Sequence, residues 1–156
     1  MITDTTVITC TGDRHEAFAI CVEMMKKQTL KPSQWIIVDD GQKPTPIPDF
    51  PFVDYVRRVR TSTEPTNSLP IQFITAMNHV HTDKVVVMED DDWYRDDYLE
   101  SMSKLLDKHN MVGQTHNVYY FMRDKKYFVH ENTKHSSLCS TGFARTVFSY
   151  FQHISL

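Results

Sequence analysis

Apolar residues in this chain switch between short unbroken runs and helical spacing, and the alternation predicts an α/β protein. Thr6-Val7-Ile8-Thr9-Cys10, Trp35-Ile36-Ile37-Val38 and Lys84-Val85-Val86-Val87-Met88 have the length and β-branched content of buried strands. Between the first two, His15 to Gln28 places Phe18, Cys21, Val22 and Met25 at helical spacing, with Glu16, Glu23, Lys26 and Lys27 outside that stripe. Lys31-Pro32 ends the helix. The result is a βαβ unit, whose economical form is a parallel pair joined by a crossover helix.

Pro44, Pro46, Pro48 and Pro51 impose an extended loop. Phe52 to Val59 alternates as a strand, Arg60 to Asn67 is polar loop, and Pro70 opens a helix running to about Val80. Asp96 to His109 predicts an amphipathic helix through Tyr98, Met102, Leu105 and Leu106. The pattern then changes. Val118 to Met122 and Tyr127 to Val129, around Arg123 to Lys126, predict a hairpin with a charged turn. Thr133 to Thr141 reads as loop and Gly142 to Ile154 as a closing helix. The expected fold class is α/β, a mostly parallel sheet with helices on both faces, followed by a C-terminal β-hairpin and helix.

Length and charge narrow the options. A chain of 156 residues is expected to form a single domain with a real core. Lys plus Arg number 17 against 20 Asp plus Glu, for a net charge of −3. With no basic stripe, nucleic-acid binding lacks electrostatic support. Cys10, Cys21 and Cys139 have no short metal-ligand spacing and read as reduced thiols. No stretch matches a secretory signal or the roughly 20 apolar residues of a membrane span, so a soluble, cytoplasmic protein is expected.

The chemistry concentrates where the strands end. Val85 to Met88 runs into Glu89-Asp90-Asp91-Asp92-Trp93-Tyr94. Adjacent anions at the tip of a buried strand repel one another unless a cation offsets them. Carboxylates suit Mg²⁺ or Mn²⁺, and Mg²⁺ is usually held by one or two carboxylates plus substrate phosphates. A solvated acidic turn is the plainer alternative. Two other strands also end in polar loops, Thr11 to Arg14 and Asp39 to Gly41. Parallel strands would bring all three loops to the carboxyl edge of the sheet, where such folds bind ligands.

These three segments resemble the signatures of family 2 glycosyltransferases of the GT-A, Rossmann-like fold, which take sugar from a nucleotide-sugar donor. The likeness lies in Val7 to Arg14, in Gln28-Thr29 with Pro32 and Ile36 to Gly41, and in the acidic "DXD" segment Glu89 to Tyr94 followed by Asp97 to Glu100. It implies a nucleotide-sugar-binding half over residues 1–110 and a short acceptor-side region over 111–156. By resemblance, Asp39 would accept a hydrogen bond from the base, with uracil expected, and Asp40 would shape the loop against the nucleotide. Thr11 and Arg14 would lie at the donor edge. Glu89, a departure from the family's Asp, and Asp90 would face the ribose or a metal-bound water. Asp91 and Asp92 match positions that touch Mn²⁺ or Mg²⁺, with two one-residue registers open. Trp93 and Tyr94 would offer a stacking face or pack beneath the loop.

An inverting transferase also needs a base on the acceptor side. After Asp107 the chain offers only Asp124 and Glu131 as carboxylates. Asp124 falls in the predicted turn, so Glu131, near His130 and His135, is the candidate base, with His116 and His153 weaker. The acceptor, whether glycan, lipid-linked or other, is not legible. A compact transferase, a fragment and a retaining mechanism all remain open. So do two other functions: a non-catalytic nucleotide- or sugar-binding domain, and a sugar nucleotidyltransferase, which usually needs a richer Gly loop than Gly12 provides.

Overall fold

The computed structural model describes residues 2–121 and 123–151. A six-stranded sheet organises it. Its strands are β1 (Ile2–Thr11), β2 (Lys31–Asp39), β3 (Val53–Arg57), β4 (Lys84–Val87), β5 (Met111–Gly113) and, later in the chain, β8 (Thr141–Ala144). The sheet order is β3-β2-β1-β4-β8-β5. The first four strands are mutually parallel, whereas β8 runs antiparallel to both β4 and β5.

Neighbouring apolar residues sort to opposite faces because strand side chains alternate. Val7, Trp35, Ile37 and Val86 join one core with helices α1 (His15–Lys27) and α3 (Tyr98–Leu106), through Phe18, Cys21, Met25, Leu99 and Met102. Ile8, Ile36, Val38, Val85 and Val87 join the other, with Ala76 and Met77 of helix α2 (Leu69–Met77) and with Phe143 and Phe148. The unbroken apolar runs therefore reflect a sheet covered on both faces. Trp35 illustrates the fit: its ring stacks on Phe18 at 6.1 Å, and its indole N–H donates to the buried Thr9 hydroxyl at 2.9 Å.

Register sets the functional edge. Thr11 lies opposite Asp39, so β1 and β2 end together, while Val87 at the end of β4 lies opposite Ile8, three residues earlier on β1. The Met88 N–H donates to Ile8 O at 3.0 Å, extending that alignment to the start of the acidic loop.

The C-terminal third departs from expectation. The hairpin is present, as β6 (His116–Phe121) and β7 (Lys126–Glu131), a separate two-stranded sheet whose aromatic side chains are exposed on both faces. The helix expected over Gly142 to Ile154 is corrected in its first half, where residues 141–144 form β8, inserted between β4 and β5. A short 3₁₀ turn (Arg145–Val147) and helix α4 (Phe148–Phe151) follow, and residues 152–154 lie outside the described residues. Gly142 explains the difference. A Cβ there would meet Val85 O at 3.2 Å, Met102 Cε at 3.1 Å and Leu106 Cδ1 at 3.2 Å, so the glycine admits β8 beneath α3. Strand β5 was hidden by its three-residue length. Among the described residues, no helix is long and apolar enough to cross a membrane.

Candidate active site

Three loops converge at the carboxyl ends of β1, β2 and β4. The first is locked to the second: Asp13 accepts from the N–H groups of Gln42 at 2.7 Å and Lys43 at 3.1 Å, with its backbone in the left-handed region at φ 53°. An Asp tolerates that conformation better than most residues. Gly41 makes the approach feasible, because a Cβ there would lie 2.5 Å from Asp13 N.

The first loop is also joined to the third. The Thr11 hydroxyl donates to Asp90 Oδ2 at 2.6 Å. Arg14 Nη2 sits 2.7 Å from Asp90 Oδ1, close enough for an ion pair although no hydrogen bond aligns with that oxygen. Arg14 Nη1 donates to Asp91 Oδ2 at 2.8 Å. Burial raises the Asp90 carboxyl, and Thr11 and Arg14 oppose that shift.

Asp39 and Asp40 divide the second loop between them. The Asp39 side chain is 0% exposed and accepts from Gly41 N, Thr45 N, the Tyr55 hydroxyl and Arg57 Nη1, at 2.6 to 3.0 Å. Burial alone would raise its pKa, but the Tyr55, Thr45 and Gly41 hydrogen bonds and Arg57 together hold it below the usual value. All four acceptor positions of this carboxylate are thus taken by the protein. Asp40 instead lines a cavity of about 270 Å³, shared with Cys10, Thr11, Gly12, Arg14, Arg60 and Glu89 and closed by residues 66–69 and Gln72. Arg58 pairs with Asp40 at 3.2 Å and with Glu64, and Arg60 donates to Pro65 O at 2.8 Å, fixing that wall. The sequence reading missed Tyr55, Arg57, Arg58 and Arg60. The basic cluster Arg57-Arg58-Val59-Arg60 at the end of β3 was the available signal.

The acidic loop is braced from below. The Tyr94 hydroxyl accepts from Glu89 N at 2.8 Å and donates to Cys139 O at 2.8 Å, while the Tyr98 hydroxyl donates to Val87 O at 3.0 Å. Tyr94 is therefore a buried prop, and Trp93, 76% exposed, is the ring that faces outward. Ligand atoms of Glu89, Asp92 and Cys139 lie within 4.8 Å of one another. Burial, with Asp92 and Asp91 adding repulsion, pushes Glu89 up to about 7. Burial likewise raises the Cys139 thiol to about 12, beside Asp92. Glu89 and Asp92 supply the carboxylate oxygens that suit a hard divalent cation, whose charge would relieve their repulsion, whereas the Cys139 thiol is a soft donor.

Glu131 stands apart. It is exposed at the end of β7, paired in register with His116, and does not line the cavity.

A mostly parallel α/β sheet with a cavity and an acidic loop at its switch edge has the arrangement in which such folds bind ligands. The Glycosyl transferase family 2 model matches residues 6–154, and the chain belongs to that family. No curated protein matches it in sequence. Similar solved structures include the mannosyltransferase PcManGT from Pyrobaculum calidifontis in complex with GDP-Man and Mn²⁺, at 17% identity and TM-score 0.67, covering 95% of this chain and 46% of that one. S. aureus TarS 1-349 aligns at 11% identity and TM-score 0.63, over 96% of this chain and 49% of its own. Rv0371c from Mycobacterium tuberculosis H37Rv aligns at 13% identity and TM-score 0.59, over 99% and 78%. The chain thus spans about half the length of the first two. At these identities the likeness establishes the GT-A fold.

Proposed function

We propose that the chain is a metal-dependent glycosyltransferase domain that uses a nucleoside-diphosphate sugar, with a UDP-sugar as first choice. The supporting observation is the joint built by Thr11, Arg14, Asp90 and Asp91, which sets an acidic loop beside a polar cavity of about 270 Å³. In this reading Asp91 and Asp92 hold Mn²⁺ or Mg²⁺, which would neutralise the leaving diphosphate. The Mn²⁺ in the PcManGT complex is consistent with that choice.

The chain's own residues bind and orient. Thr11, Gly12 and Asp40 face the nucleotide, Arg14 and Arg60 supply positive charge, and Glu89 and Asp90 shape the loop beneath. Asp40 takes the base-facing role first expected of Asp39, since the Asp39 carboxylate is consumed in tying its own loop together. Glu131 is retained as the acceptor-side candidate base on its chemistry alone.

Titrating the protein with UDP and with GDP, in Mn²⁺ and in chelator, tests this reading. Binding at least tenfold tighter with the cation supports it, and cation-indifferent or absent binding refutes it. Release of free sugar from the donor without acceptor separates a transferase from a domain that only binds.

A further inference from the structure

The contacts of Arg14 point to a conformational device in the same site, resting on the cation reading above. Its guanidinium lies 2.8 Å from Asp91 Oδ2 and 2.7 Å from Asp90 Oδ1, a bridge across two of the four consecutive carboxylates. A guanidinium carries its positive charge delocalised over a planar fork that suits carboxylates. It therefore offsets the repulsion that the acidic loop would otherwise carry.

The two carboxylates are not alike. Asp90 is fully buried and also held by Thr11. The Asp91 side chain is 49% exposed and that of Arg14 47% exposed, so their contact lies at the surface and is the weaker of the two. The Arg14 backbone is pinned, because its carbonyl accepts from Phe18 N at 2.9 Å at the start of α1. Only the side-chain torsions remain free to move the charge.

We propose that Arg14 is the counter-ion of the acidic loop in the cation-free protein, and that an incoming divalent cation must displace it from Asp91. Two cations cannot share Asp91 Oδ2 at hydrogen-bond range without strong mutual repulsion. The displaced guanidinium has a place to go, since Arg14 also lines the cavity with Thr11, Gly12 and Asp40. Cation loading then releases a positive charge toward the site of the donor phosphates. By linkage, cation and donor each promote the binding of the other.

The sign of one measurement separates this device from a positioning role. Binding of Mn²⁺ alone, followed by the electron paramagnetic resonance signal of the free ion, is compared in wild type, Arg14→Gln and Arg14→Lys. Displacement predicts that Arg14→Gln binds Mn²⁺ about fivefold tighter, the scale of a partly exposed ion pair, while Arg14→Lys stays near wild type. Without cation Arg14→Gln should melt below wild type, and saturating Mn²⁺ should close the gap. Equal or weaker Mn²⁺ binding by Arg14→Gln, with binding intact in wild type, overturns displacement and leaves the cation site standing. No Mn²⁺ binding by any variant overturns both. Should Arg14→Gln fail to fold, the Arg14 side-chain N–H resonance of the wild type decides. It must shift on adding Mg²⁺, and an unmoved resonance under saturating Mg²⁺ overturns the proposal.

Discussion

Thr11 and Asp90 lie 79 residues apart in the chain and are joined by a 2.6 Å hydrogen bond between buried side chains. That bond fastens the end of β1 to the acidic loop after β4, and the geometry of the candidate site depends on it. Thr11→Val keeps the shape and removes the donor, leaving a buried carboxylate oxygen without its hydrogen bond. A loss of about 1–3 kcal/mol is expected, readable as a lower urea midpoint with an unchanged slope. A midpoint within error of wild type would remove Thr11 from this role.

Asp39 and Asp40 are adjacent in sequence and opposite in use. Asp39→Asn orphans two of the four donors that converge on the carboxylate. It should destabilise by about 3 kcal/mol, the low end for breaking a buried pair because Arg57 is partly exposed. The pH signature follows from the depressed pKa. Asp39 contributes fully above its ordinary value of 3.8, and the contribution disappears as pH falls through the lower folded value. Acid unfolding of Asp39→Asn should therefore lack part of the wild-type fall in that range, as circular dichroism melts would record.

Glu89 carries the opposite sign. Its folded pKa, raised from 4.5 to about 7, means that the native state holds more protons than the unfolded chain between those values. Stability of the cation-free protein therefore falls as pH rises from about 4.5 to about 7. Glu89→Gln should flatten this slope and melt higher than wild type above pH ~7 in chelator. A Glu89→Gln curve parallel to wild type would show that Glu89 titrates normally.

Tyr94 supports the loop from beneath. Tyr94→Phe leaves the Glu89 N–H without its acceptor, while the Cys139 carbonyl keeps the Tyr98 hydroxyl at 3.3 Å, at a cost of about 1–3 kcal/mol. Hydrogen exchange at Glu89 should quicken with little change in β2. Unchanged exchange at Glu89 would mean that the loop holds its shape without the hydroxyl.

The readable parts of the sequence were those with one dominant signal. The runs at Val7, Ile36 and Val85 had no polar alternation, so covered strands were the ready reading, and the loops at their ends marked the site edge. The short elements were harder. Gly142 reads as a helix start from sequence because nothing local distinguishes that from a position where a Cβ would strike α3. The division of labour between Asp39 and Asp40 was equally hidden, since it depends on Tyr55 and Arg57 arriving from β3. Residues that act through long-range contacts, such as Tyr94, leave no periodicity to read.

The most direct test is calorimetric titration of UDP into wild type and Asp91→Asn, each with Mn²⁺ and with chelator. Wild type should bind at least tenfold tighter with Mn²⁺, and Asp91→Asn should bind equally in both conditions. Cation-dependent UDP binding that survives intact in Asp91→Asn would contradict an acidic-loop metal as the donor's anchor.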